Sequence, residues 1–271
     1  MTNFTTTRAD IEAVSERTLL FDVEDGIAWM TLNRPSKLNA INRAMIRGIA
    51  AVAVAVAERD EIRVLIVRGA GRAFSAGGDL AEVGELVQDR DGFDGFLDEW
   101  HATFTALDEC PKPVIGVAHG IAFAGGLELL HVCDVVVAGE SARLGDQHAH
   151  YGLFPPGGGT QRLVRLVGPR HANWLLLSGE SIDAAAAARI GLVNLTVPDS
   201  ELDATVRAMA KRLRERSPRA SAAILRALRL GEGLPVGEAL RAERSVALDH
   251  MTSPDVQIGI AAFRNRTEPE F

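Results

Sequence analysis

The stretch Pro113–Glu128 constrains this chain most. It opens on the apolar run Val114–Val117, passes Gly120, and then reads Gly125-Gly126-Leu127-Glu128. A short run of mostly β-branched residues suits a buried strand, and the glycine suits a tight turn. The pattern predicts a helix over Gly125–Cys133 that opens on two glycines. The first N–H groups of a helix have no partner within it, and the helix dipole attracts negative charge to them. Such a strand, turn and helix can hold an oxyanion, with Glu128 one turn into the helix. Arg72–Leu80 forms a second glycine loop after the strand Val64–Gly69. Two loops giving one backbone N–H each are what an enolate or thioester oxyanion requires.

Thr18–Val23 and Ile27–Leu32 read as strands joined by Glu24-Asp25-Gly26, whose Asp-Gly pair marks a hairpin. Asn39 is read as the N-cap of a helix over Ile41–Arg59. The region 81–110 reads as helical, with a weak middle at Asp89–Gly95 taken as a mobile loop. Val135–Val137 is a further buried strand. This alternation predicts an α/β fold with right-handed crossovers in a mainly parallel sheet. After Asp199 the strand signal ends, and Leu202–Arg216, Arg219–Leu230, Val236–His250 and Ser253–Phe263 all read as helices. The chain therefore divides into a polar leader (1–16), an α/β core (17–200) and a helical region (201–271).

Several function classes are disfavoured. A net charge of −7 argues against a nucleic-acid surface. The apolar run Ile49–Ala57 is too short to span a bilayer, and the N-terminus has no apolar targeting segment. Cys110 and Cys133 show no metal spacing, which fits a reduced, cytoplasmic protein. Ala73-Phe-Ser-Ala-Gly77 lacks the first glycine of a serine-hydrolase elbow, and Gly69–Phe74 lacks the third glycine of a dinucleotide loop.

Taken with Gly157-Gly-Gly-Thr-Gln-Arg-Leu163, the two loops resemble the crotonase (enoyl-CoA hydratase/isomerase) superfamily, from Ile27 to Phe263. The resemblance implies a crotonase-like spiral of ββα units, with the helical region 201–271 mediating trimer formation, hence a homotrimer or a hexamer built as a dimer of trimers. It implies an acyl-CoA substrate and no cofactor, coenzyme A being part of the substrate. It implies oxyanion donors at the N–H groups of Gly78 and Gly125, and it matches Glu128 to the first of two catalytic glutamates. Asn33–Ala40 resembles the stretch that runs along the pantetheine and nucleotide, so Arg34 or Lys37 is expected to meet a phosphate. Ala73, Ser75 and Ala76 are expected near the adenine end. Asp79 joins this set and also caps or pairs locally. Phe263, with Arg264 and Arg266, matches a tail that contacts the nucleotide of a neighbouring subunit. Gly157–Thr160 is expected to be structural, because no lysine follows as in a phosphate loop.

The chain departs from the family pattern at one place. In Leu144–Pro155, the position of the second glutamate is His148. Histidine titrates near neutrality and can still move a proton. Three roles stand open: acid/base or water-holding group, bystander to Glu128 acting alone, or spacer in an altered acyl pocket. On an extended segment, Asp146, His148 and His150 would project to one side, which also raises a metal site. The leading expectation is water addition to a 2-enoyl-CoA through a stabilised enolate, with Glu128 and His148 moving protons. Double-bond isomerisation, hydrolytic C–C cleavage of a cyclic diketone or its CoA ester, and non-catalytic acyl-CoA binding stand as alternatives. Tyr151, Phe154, Trp100 and the 81–100 segment are expected to shape the acyl pocket, with Trp100 and Phe96 leaving room for a bulky acyl chain.

Overall fold

The computed structural model describes residues 7–271. Helix α1 (Arg8–Val14) is followed by the hairpin β1 (Leu19–Glu24) and β2 (Ile27–Leu32), then α2 (Arg43–Glu58) and β3 (Val64–Gly69). Next come α3 (Leu80–Leu86), α4 (Arg90–Asp108), β4 (Val114–Ala118), β5 (Ile121–Phe123), α5 (Gly125–Leu130), β6 (Val135–Gly139) and β7 (Arg143–Gly145). Helix α6 (Gly159–Ser178), β8 (Ser181–Asp183), α7 (Ala184–Arg189) and β9 (Leu195–Val197) complete the strand-bearing part. Helices α8 (Leu202–Arg214), α9 (Pro218–Gly231), α10 (Val236–Met251) and α11 (Pro254–Asn265) follow.

A six-stranded sheet runs β1-β2-β3-β4-β6-β9, and a three-stranded sheet runs β5-β7-β8. The β1–β2 pair is antiparallel and the remaining pairs of the large sheet are parallel. The hairpin forms at the Asp-Gly pair, where Asp25 (φ 52°) and Gly26 (φ 74°) are both left-handed. In β4–β5–α5 and in β6–β7–α6, the first strand joins the large sheet and the second joins the small one. This is the ββα repeat the resemblance implied.

Alternate residues leave opposite faces of a strand. Ala28, Met30, Leu65 and Val67 face the main core with α2 and α4, whereas Trp29, Val64, Ile66 and Val117 face a second core with Leu202, Val206 and Ala210 of α8. Both faces are covered, which explains why these strands read as unbroken apolar runs. The first helix of the C-terminal helical region, α8, thus packs on the sheet and closes its second face.

Three local expectations are corrected. The polar leader is a helix over Arg8–Val14, held by a Thr7–Asp10 capping box and by Ile11, which is fully buried; residues 1–6 lie outside the described residues. The N-cap of α2 is Asn42, which accepts from Met45 N–H at 3.0 Å. Asn39 is buried and left-handed instead, and its amide bridges Arg34 N–H and the carbonyls of Ala70 and Ala73. The loop expected at Asp89–Gly95 is only the short break before Asp89, which caps α4 at Asp91 N–H.

Candidate active site

Two loops meet at the C-terminal ends of β3 and β4. Ser75 pairs with Ala122 and Ile41 pairs with Gly78 in isolated bridges, which lay Gly77-Gly78 beside Phe123–Gly125. A Cβ added at Gly125 would come 3.3 Å from the Gly78 nitrogen, so the two amides are neighbours and glycine is required for that approach. Among the described residues neither N–H donates a hydrogen bond within the chain. The residue before Gly125 is in an unusual conformation. Ala124 sits at φ 48°, ψ −122°, pinned by its N–H to the Gly145 carbonyl at 3.0 Å. This turns the Gly125 peptide out of the strand direction and opens the helix on a free amide.

One turn on, Glu128 is 1% exposed. Gly159 N–H donates to its Oε1 at 3.0 Å. Burial raises the Glu128 carboxyl to about 7, against the lowering pull of His148 and of the Gly159 and Gly157 amides. A buried carboxyl held in this range can serve as a general acid or base at neutral pH. The glycine stretch 157–159 was expected to be merely structural; it orients Glu128, and a Cβ at Gly157 or Gly159 would crowd that carboxylate.

Opposite lies His148, whose side chain is 11% exposed. Asp146, fully buried, accepts from the His148 backbone N–H at 3.3 Å and pairs with ring Nδ1 at 3.0 Å. Burial opposes the imidazolium, yet the Asp146 carboxylate and Glu128 outweigh it and raise His148 above its ordinary value. With Nδ1 tied to a carboxylate, Nε2 is the nitrogen available for proton exchange. The segment is not extended: Gln147 is left-handed (φ 63°) and Ala149–Tyr151 forms a 3₁₀ turn. His150 is therefore exposed and packs edge-on against Tyr151, and no cluster of three metal-ligating side chains exists among the described residues.

Several residues expected to meet the substrate have partners within the chain. Arg34 and Asp79 are bound to each other at 2.7 Å and are mostly buried, and Asp79 also caps α3 at Ala81 N–H. Burial would raise the Asp79 carboxyl, but Arg34 and the Ala81 N–H bring it below its ordinary value. Ser75 is fully buried, donates to the Asn39 carbonyl at 2.8 Å and accepts from Gly77 N–H at 3.1 Å. It holds the loop, as does buried Ala73 through its carbonyl. Ala76 is half-buried and Lys37 is exposed. Phe263 lies on α11 and is 85% exposed. Phe96 and Trp100 are packed with Phe104 in a buried stripe along α4, so they fill space where a bulky acyl chain was expected.

A site with two free amides, a buried carboxyl and a carboxylate-backed histidine suits proton transfer beside a stabilised oxyanion. Residues 22–271 match the family model described as enoyl-CoA hydratase/isomerase. The chain belongs to the enoyl-CoA hydratase/isomerase family. It is 32% identical to a probable enoyl-CoA hydratase of Mycobacterium bovis, over 94% of this chain and 97% of that one. It is 35% identical to the 2,3-dehydroadipyl-CoA hydratase of Escherichia coli, over 93% of this chain and 98% of that one. The crystal structure of an enoyl-CoA hydratase from Bacillus anthracis superposes with a TM-score of 0.89 at 28% identity, covering 94% of this chain and 98% of that one. The crotonase fold and an acyl-CoA enzyme activity follow from this membership. No described helix is long and apolar enough to cross a membrane.

Proposed function

We propose that the enzyme hydrates a 2-enoyl-CoA, with His148 in the second catalytic place. The observation that carries this reading is the pairing of buried Glu128 with an Asp146-backed His148 beside the free amides of Gly78 and Gly125. The thioester carbonyl accepts from both amides. Glu128 as carboxylate removes a proton from water, the water oxygen bonds to Cβ, and the π electrons move into the thioester as an enolate. His148 as imidazolium delivers a proton from Nε2 to Cα, and transfer from Glu128 to His148 then restores the starting state. The thioester is the electron sink, so no cofactor is needed. The ester's nucleotide is expected at Lys37 and Ala76, and at Phe263 of a neighbouring subunit. Exposed Ile224, Leu228, Leu240 and Leu248 on α9 and α10 support a trimer or a dimer of trimers, which sedimentation velocity tests.

The deciding experiment offers 2-enoyl-CoA esters, short, long and dicarboxylic, and follows loss of the conjugated thioester absorbance. Turnover that disappears in both Glu128→Gln and His148→Ala supports the reading. Absence of turnover on every ester overturns it and directs attention to isomerisation and C–C cleavage.

A further inference from the structure

One buried polar group of the site has no task in that chemistry. Trp100 is 5% exposed, and its Nε1 has no hydrogen-bond partner among the described residues. A buried indole N–H ordinarily finds an acceptor. Its surroundings show where it is aimed. A Cβ built on Gly157 would lie 2.5 Å from Trp100 Nε1 and would overlap Glu128 Oε2. Because residue 157 is glycine, Trp100 Nε1 and Glu128 Oε2 both reach the space beside its bare Cα and lie no more than 4.8 Å apart, within the span of one bridging water.

The other end of the same ring edge lies beside Gly125 and Gly78. A Cβ on Gly125 would meet Trp100 Cζ2 at 2.8 Å and Cη2 at 2.9 Å, and one on Gly78 would lie 3.9 Å from Cη2. A single indole edge thus runs from the two glycines to Glu128. Cη2 and Nε1 are separated by three bonds, as are the carbonyl carbon of a β-hydroxyacyl thioester and its hydroxyl oxygen. An acyl group with its carbonyl at the glycines brings the oxygen on Cβ to the indole N–H.

We propose that Trp100 is a catalytic residue whose Nε1–H donates to the water oxygen that adds to Cβ, while Glu128 Oε2 takes that water's proton. The inference rests on the hydration reading. The water oxygen keeps one lone pair on the indole and uses the other to form the C–O bond; Cα receives the His148 proton. In dehydration the C–O bond breaks, Glu128 returns a proton to the departing oxygen, and the N–H stabilises the charge developing there. The other titratable groups facing Glu128 are His148 and Asp146.

Trp100→Phe keeps an aromatic ring in the stripe where the indole packs 5.6 Å from Phe96 and 5.3 Å from Phe104, and removes the N–H together with the outer edge of the indole. The expected result is a fall in kcat of tenfold or more in both directions, with KM within twofold and a melting temperature lowered by the smaller ring but still well above the assay temperature. An unchanged kcat, or a loss confined to KM, overturns the proposal, the latter assigning the N–H to a polar substituent of the acyl chain. A second readout needs no turnover. In ¹⁵N-indole-labelled protein, the Trp100 resonance, assigned by its loss in Trp100→Phe, should titrate with Glu128 and lose that step in Glu128→Gln. A resonance indifferent to Glu128→Gln overturns the proposal even if every enoyl ester proves inert, which would separately overturn hydration.

Discussion

The two sides of the site are built from different materials. The side proposed to hold the oxyanion is backbone: Gly78 and Gly125 present amides, and the residues supporting them are buried or bound to a neighbour. The proton-transfer side is three titratable side chains, Glu128, His148 and Asp146, each shaping the next. The first side is damaged by adding atoms and is indifferent to pH. The second is damaged by removing charge and is governed by pH.

The sharpest way to break this contrast is Gly125→Ala. Its methyl would meet Trp100 at 2.8 Å and stand 3.3 Å from the Gly78 nitrogen. Loss of one oxyanion donor costs about 10²–10³ in kcat, and displacement of both exceeds that. Steady-state rates that stay within tenfold of wild type would show the amides are not the donors.

Glu128→Gln should lower kcat by about 10²–10⁴ and, in the same protein, raise stability in alkali. Glu128 is raised from 4.5 to about 7, so its burial is fully tolerated below 4.5 and stability is lost as pH rises through 7. Each unit is about 1.4 kcal/mol, so the variant should gain on the order of 3 kcal/mol above that range. Melting temperatures that are equal at pH 5 and diverge by pH 8.5 are expected; parallel curves would contradict a buried, titrating carboxyl.

Asp146→Asn sharpens the comparison further. Asp146 raises both His148 and Glu128, so its loss moves the alkaline limb of kcat/KM to lower pH and draws the acid limb the same way. His148→Gln removes a group that lowers Glu128, so the Glu128 carboxyl, followed by its ¹³C resonance rather than by rate, should titrate at higher pH. A rate profile unchanged by Asp146→Asn, or a Glu128 titration unchanged by His148→Gln, would separate His148 from the chemistry.

Arg34→Ala is the smallest expected effect and distinguishes two roles. If Arg34 steadies Asp79 and the Gly78 loop, kcat falls a few-fold with little change in KM. A salt-sensitive rise in KM alone would return Arg34 to the nucleotide phosphates.

Much of this architecture was legible in the chain. The runs Ile27–Leu32 and Val64–Gly69 are buried on both faces and announce themselves by unbroken apolarity. The strands β5, β7, β8 and β9 carry three residues each, too short for any period, and were missed. Asn39 looked like a cap because a sequence does not show that an amide reaches carbonyls over thirty residues away. At the site, Glu128 and the glycines were readable from the helix-opening motif. Asp146 and His148 do meet, as alternation along the segment suggests, but His150 does not join them, since left-handed Gln147 makes a turn where an extended geometry was assumed. Gly159's bond to Glu128 left one signal, a triple glycine with no phosphate-loop lysine. The Arg34–Asp79 pair left none.

Ala124 carries a consequence for anyone improving this protein. Its φ of 48° with ψ of −122° is a glycine's conformation occupied by an alanine, a strain of about 1–3 kcal/mol. A screen rewarding only survival at high temperature would find Ala124→Gly early, since glycine relieves that strain. The same change unlocks the peptide whose N–H is Gly125's, letting the amide wander from the oxygen it should meet. A heat-selected lineage would thus drift toward a sturdier and slower enzyme, and the residue at 124 would record whether its history rewarded endurance or turnover.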